Sequence, residues 1–267
     1  FLNLILMYKN GLFIALLTIL ICQSSLFAKE SLFYASKTLD IPLAIISAST
    51  ALTGLYFIKD TEVPNSIKNK SSLLPWDKPF AGTYSENADL WSDILNAGLL
   101  FPIAISTTAL AQNDIQKNDF WKVLLMYSEA LALQSGLNLL TRSFQIWPRP
   151  YLYKNGKAEK AKGEAYGSFY SGHVSAAFTS AVFTSYLFHK IYPNSKYKTW
   201  VTAASFTLAS AVAVLRIAAG KHYPTDVIAG ALAGSGISLG VIALHEHFKS
   251  DISVSAAPGF AVVSFSF

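Results

Sequence analysis

Five or six long apolar segments, near residues 39–58, 93–111, 121–141, 172–190, 199–218 and 226–247, take up most of this chain and leave it few ways to fold. Most of them approach the ~20 residues that a helix needs to cross a bilayer. Backbone in such segments has to satisfy its own hydrogen bonds, which favours helices. The composition points the same way: 52% of residues are hydrophobic, 14% are charged and the mean hydropathy is +0.37, more apolar than an average soluble domain. The expected fold is therefore all-α, a helical bundle of about six apolar helices, membrane-embedded or membrane-associated.

Several segments carry polar residues: Asp40 with Pro42 in the first, Asn96 with Pro102 in the second, and Glu129, Gln134 and Asn138 in the third. Intramembrane polar groups usually face a bundle interior, so buried positions are expected for them. In the last segment Gly230-x3-Gly234 and Gly236-x3-Gly240 would allow close helix packing. The stretch 59–92, with Pro64, Pro75, Pro79 and Gly82, reads as a surface connection in which Trp76 and Trp91 anchor a long loop or mark a membrane interface. The tail from Val254 to Phe267 alternates in part and suggests a short strand after a turn at Pro258-Gly259.

Residues Met7 to Ala28 have the layout of a secretory signal: Lys9, an apolar stretch from Gly11 to Cys22, and a cleavage context ending at Ala28. The expected organisation is a signal or signal-anchor over 1–28, one domain over 29–250 with its motif core at 120–248, and a tail over 251–267. Cys22 is the single cysteine and would leave with a cleaved signal, so neither a disulfide nor thiol chemistry is expected in the mature chain. The formal net charge of +5 suits an anionic substrate or a membrane surface. It is too small and too scattered to suggest nucleic acid.

Three short polar clusters interrupt the apolar sequence: Arg142-x6-Arg149-Pro150, Ser171-Gly172-His173, and Arg216-x5-His222-x3-Asp226. Arginines offer fixed forks of donors that match phosphate oxygens and stay charged at any working pH. One histidine can attack phosphorus while a second protonates the leaving oxygen. A carboxylate four residues after His222 can hold that imidazole in the tautomer whose other nitrogen is free. Simple up-and-down connectivity brings all three clusters to one end of the bundle.

Order and spacing resemble the type 2 phosphatidic acid phosphatase superfamily, which also includes bacterial class A acid phosphatases and vanadium haloperoxidases. Its motifs read Lys-x6-Arg-Pro, Pro-Ser-Gly-His and Ser-Arg-x5-His-x3-Asp. Here Arg142 stands in place of the Lys, Tyr170 in place of the Pro and Leu215 in place of the Ser, while the charged and imidazole positions are kept in kind. The resemblance implies that His222 is the nucleophile and forms a phosphohistidine, that Asp226 orients it, and that His173 is the general acid and then the base for water. It also implies that Arg142, Arg149 and Arg216 bind the phosphate oxygens. Ser171 and Gly172 would open a helix whose free N–H groups add donors to the same anion. Neither a metal nor a cofactor is expected in this chemistry.

The substrate expected from the resemblance and the apolar helices is a lipid phosphate monoester or diphosphate, namely an anionic phospholipid, a prenyl diphosphate or lipid A, with the membrane as partner. Alternatives are a non-specific periplasmic acid phosphatase, a vanadate haloperoxidase, or a non-catalytic membrane protein. The loop bearing Lys154, Lys157, Lys160 and Lys162 is either a basic lid over the site or a solvated connection. His189, His245 and His247 read as structural or interfacial. Lys190, Lys196 and Lys198 fall at the end away from the motifs, so the positive-inside rule points the motif end outward. The expected location is the inner membrane of a bacterial cell envelope, with the site facing the periplasm.

Overall fold

The computed structural model describes residues 31–60, 69–144, 147–154, 163–250, 252–257 and 260–265. The expected signal and most of the lysine-rich loop, including Lys157, Lys160 and Lys162, lie outside the described residues. Seven α-helices are present among the described residues: α1 (Lys37–Asp60), α2 (Glu86–Leu95), α3 (Phe101–Ala111), α4 (Lys117–Ser143), α5 (Gly172–Ile191), α6 (Lys198–Ala218) and α7 (Pro224–Ser250). The tail forms an antiparallel hairpin of β1 (Ile252–Ala257) and β2 (Phe260–Phe265), in which Ile252 pairs with Phe265 and Ala257 with Phe260. The residues expected to turn, Pro258 and Gly259, lie outside the described residues.

The stretch 59–92 departs from the expected loop. Its last residues, from Glu86 on, are the start of α2, opened by Ser85, whose side chain accepts from the Ala88 N–H at 3.2 Å. Glu86 and Asp89 sit in the first turn, where carboxylates complement the helix dipole. The second apolar segment is also split, because a 3-10 turn over Asn96–Leu100 separates α2 from α3. Pro102, at the start of α3, has no N–H to continue a preceding helix but is well suited to begin one. Trp76 and Trp91 are 60% and 55% exposed.

Helix α5 is the hub of the bundle, packing against α3, α4, α6 and α7, while α1 lies along α4. The inward face of α5 carries small and hydroxylated residues, Ser175, Thr179, Ser180 and Thr184, all buried. Phe183 and Leu187 continue it into the main core with Val123, Met126, Tyr127 and Val241. Asp40, Glu129, Gln134 and Asn138 are buried, as their place in apolar segments suggested. Five segments, Lys37–Ile58, Glu86–Ala111, Lys117–Ser143, Lys198–Ala218 and Pro224–Phe248, are long and apolar enough to cross a membrane. Large apolar side chains on α1, α6 and α7, such as Ile45, Phe57, Trp200 and Leu232, point outward, which suits a surface in contact with lipid.

The two glycine pairs of α7 differ. A Cβ on Gly230 would lie 2.6 Å from the Ser171 carbonyl oxygen, and one on Gly234 only 2.0 Å from that of Ser175, so this pair sets the close approach of α7 to α5. A Cβ on Gly236 or Gly240 would meet nothing within 4 Å. Gly234→Ala is therefore expected to destabilise the bundle by ~1–3 kcal/mol through overpacking. Gly236→Ala should be neutral or slightly stabilising. Thermal unfolding of the two variants in detergent checks the contrast.

Candidate active site

The third motif spans the turn from α6 to α7. Arg216 occupies the last turn of α6, and Gly220, at φ +69°, ends the helix in the left-handed region. Only glycine fits there, since a Cβ would fall 1.8 Å from the Thr83 carbonyl oxygen. Pro224 then opens α7, placing Asp226 in its first turn. Asp77 holds this entrance from outside, accepting from the Thr225 hydroxyl at 2.6 Å and the Thr225 N–H at 3.3 Å.

His222 is 3% exposed, and its Nδ1 lies 2.8 Å from the Ser168 carbonyl oxygen. A carbonyl only accepts, so Nδ1 carries the proton and the neutral ring keeps its lone pair on Nε2. The sequence pattern suggested that Asp226 would hold the imidazole directly. In the structure Asp226 Oδ2 is 3.8 Å from Nδ1, beyond hydrogen-bond reach. That oxygen instead accepts from the Ser168 hydroxyl at 2.5 Å and from the Tyr223 N–H at 2.9 Å. The carboxylate thus fixes the residue whose carbonyl fixes the histidine.

The second motif begins α5. Ser171 is its N-cap, fully buried, with its N–H donating to the Asp226 carbonyl at 3.0 Å and its hydroxyl buried without a hydrogen-bond partner. Gly172 packs against Asn138, whose side-chain amide donates to the Tyr170 carbonyl at 2.7 Å. His173 faces the cleft, with Nε2 3.1 Å from Asp93 Oδ1. The first motif straddles the end of α4: Arg142 lies in its last turn, and Arg149 caps the 3-10 turn Pro150–Tyr153. Backbone bonds from Trp147 N–H to Tyr166 C=O, Arg149 N–H to Ala165 C=O and Ser168 N–H to Trp147 C=O align this strand-like stretch beside residues 165–168.

A cleft of about 660 Å³ opens at this end, lined there by Arg142, Arg149, Gly172, His173, Arg216 and His222. Asp226 and Ser171 lie behind this wall. Two further carboxylates come from α2. Asp89 Oδ1 accepts from Arg216 Nη1 at 2.7 Å, and its other oxygen is 2.8 Å from Lys221 Nζ; Asp93 Oδ1 is 3.5 Å from the same Arg216 nitrogen. Ser92 Oγ also accepts from Arg216, at 3.1 Å. Reading 59–92 as a connection hides Asp89, and Asp93 falls at the very start of the apolar segment 93–111, where it does not stand out. The signal for them was local: Asp89 and Asp93 stand four apart, behind a Ser85 cap, and so share a helix face.

Burial, followed by the nearby guanidinium groups of Arg149 and Arg216, pushes the His222 imidazole well below its ordinary pKa of 6.5. Burial also pushes His173 down, while Asp93 pulls it back up and Arg216 opposes that pull. For His222 the fold favours the neutral ring, whereas the unfolded chain takes up a proton near 6.5. Its contribution to stability is therefore complete above that pH and is lost as pH falls below it. The melting temperature of the wild type should fall more steeply between about pH 7 and 5 than that of His222→Asn.

Residues 123–246 match the family model described as the PAP2 superfamily, a region that contains all three motifs. No curated protein and no solved structure matches the chain.

Proposed function

The chain belongs to the PAP2 superfamily, and we propose that it is a phosphatase acting on lipid phosphate monoesters or diphosphates through a phosphohistidine. The family implies phosphatase or haloperoxidase-type chemistry. The observation that favours a lipid phosphatase is the shape of the cleft. From the cationic mouth at Arg142 it follows α4 through Asn138, Ser135 and Leu131 to Ser128. That separation of 14 positions along the helix corresponds to ~21 Å. Ala44 and Ala48 of α1, together with Leu99, Leu131, Ala132 and Leu139, supply apolar walls. A small soluble ester needs only the mouth, whereas a long acyl or prenyl chain needs the whole length.

In this reading Nε2 of His222 attacks phosphorus in line with the ester oxygen. His173 donates its proton to that oxygen as the P–O bond breaks, leaving a phosphohistidine. His173, now neutral, takes a proton from water, whose oxygen attacks phosphorus; the P–N bond breaks, phosphate leaves and His222 is restored. Arg142, Arg149 and Arg216 bind the non-bridging oxygens as charge builds on them. The α5 N-terminus at Gly172 adds its dipole. The incoming phosphate takes over donors of Arg216 that Asp89 and Asp93 hold in the structure. Asp93, at hydrogen-bond distance from His173, favours the protonated imidazole that the first step requires.

We place the site on the periplasmic side of a bacterial inner membrane. Lys190, paired at 2.6 Å with Glu246, and the exposed Lys196 belong to the opposite end of the bundle, which the positive-inside rule assigns to the cytoplasm. Phosphate release in detergent from a long-chain phosphatidic acid, a prenyl diphosphate and a small soluble ester tests the reading. At least one lipid is expected to be turned over at least ten-fold better than the ester; equal turnover would make the protein a general acid phosphatase. His222→Ala should lower kcat by at least ~10³-fold. Ala132→Phe, which narrows the apolar part of the cleft, should raise KM for the long-chain substrate and leave that for the ester unchanged.

A further inference from the structure

Beyond the apolar walls, the cleft reaches a second polar cluster that the phosphatase chemistry leaves unused. Glu129 of α4 lines the cleft there and meets Asp40 from the first turn of α1 and His245 from the far end of α7. The three are 3%, 8% and 1% exposed. His245, which the sequence alone marked as structural, has Nδ1 2.8 Å from the Tyr34 carbonyl oxygen. As with His222, a carbonyl partner puts the proton on Nδ1, so Nε2 is the atom that faces the acids. It lies 2.8 Å from Glu129 Oε2 and 4.0 Å from Asp40 Oδ1. Glu129 Oε1 and Asp40 Oδ1 are enclosed and accept no hydrogen bond.

Two carboxylates beside one imidazolium leave a net negative charge in a buried place, which is costly. Two carboxylates and a neutral imidazole around a divalent cation sum to zero. The hydrogen bond from Nδ1 to a backbone carbonyl is the support that orients metal-binding histidines. One donor atom from each of the three residues lies within 4.8 Å of the others. Ligands ~2.0–2.1 Å from a tetrahedral zinc stand ~3.4 Å apart, so small side-chain rotations close this set around an ion and leave the fourth position for water. Glu129 is 13 residues from Arg142 along α4, or ~20 Å, which separates the cluster from the phosphate-binding mouth.

We propose that Asp40, Glu129 and His245 form a divalent-cation site, taking zinc or a similar transition-metal ion, that ties α1, α4 and α7 together at the end of the bundle remote from catalysis. The assignment does not depend on the phosphatase reading. To test it, full-length protein in detergent is stripped with a chelator and titrated with zinc chloride, with binding followed by calorimetry and stability by thermal unfolding. One zinc per chain is expected, with a melting temperature several degrees higher in the bound protein. Glu129→Gln and His245→Gln should bind at least ten-fold more weakly, whereas His173→Gln should bind as the wild type does. Asp40→Asn, which keeps the side-chain shape, provides the same test where another variant fails to fold. Absence of saturable zinc binding by the wild type, or binding that survives Glu129→Gln, would overturn the proposal.

Discussion

Asp226 is the point at which the end of this bundle that carries the candidate site is tied together. Its side chain accepts from the Ser168 hydroxyl and the Tyr223 N–H, and its backbone carbonyl accepts from the Ser171 N–H. One buried residue therefore links the approach to α5, the N-cap of α5 and the turn into α7. Both of these side-chain bonds fall on Oδ2, while Oδ1 is buried without a hydrogen-bond partner, so a single carboxylate oxygen positions the groups around it. The orientation of His222 is a product of that arrangement, since its hydrogen-bond partner is the carbonyl of Ser168.

The opposite wall of the mouth follows a different logic. Arg216 is buried, so its charge needs compensation in the absence of an anionic ligand. Asp89, Ser92 and Asp93 on one face of α2 supply it. An exposed Asp93 and a half-buried Asp89 hold the cation without enclosing it. The cationic cluster is thus neutralised in part by groups that solvent can also stabilise.

Much of this architecture was legible in the sequence because it rests on local patterns. The apolar segments became helices, and the polar residues Asp40, Glu129, Gln134 and Asn138 turned inward, as residues in apolar surroundings must. Regular up-and-down connectivity was enough to bring Arg142, His173 and His222 to one end. What escaped the sequence depended on tertiary contacts. The turn-rich stretch before it masked the start of α2 and with it Asp89, Asp93 stood at the edge of an apolar segment, and a spacing of four between His222 and Asp226 suggested a direct bond that the turn before Pro224 does not make. The contacts of His245 were out of reach for the same reason, since its partners, Glu129 and Tyr34, are 116 and 211 residues away in sequence.

Helix α5 differs from its neighbours in being absent from the helices apolar enough to cross a bilayer alone, and its buried face carries Ser175, Thr179, Ser180 and Thr184. Hydroxyls of this kind are costly against hydrocarbon until other helices cover them. During synthesis α5 emerges after α4 and before α6 and α7, so half of its sheath does not yet exist. It is best accommodated by insertion in company with α6 and α7, and only the arrival of α7 brings Asp226 to Ser168 and Ser171. Assembly of the bundle and assembly of the candidate site are consequently the same event, and a partly inserted chain does not yet have that site.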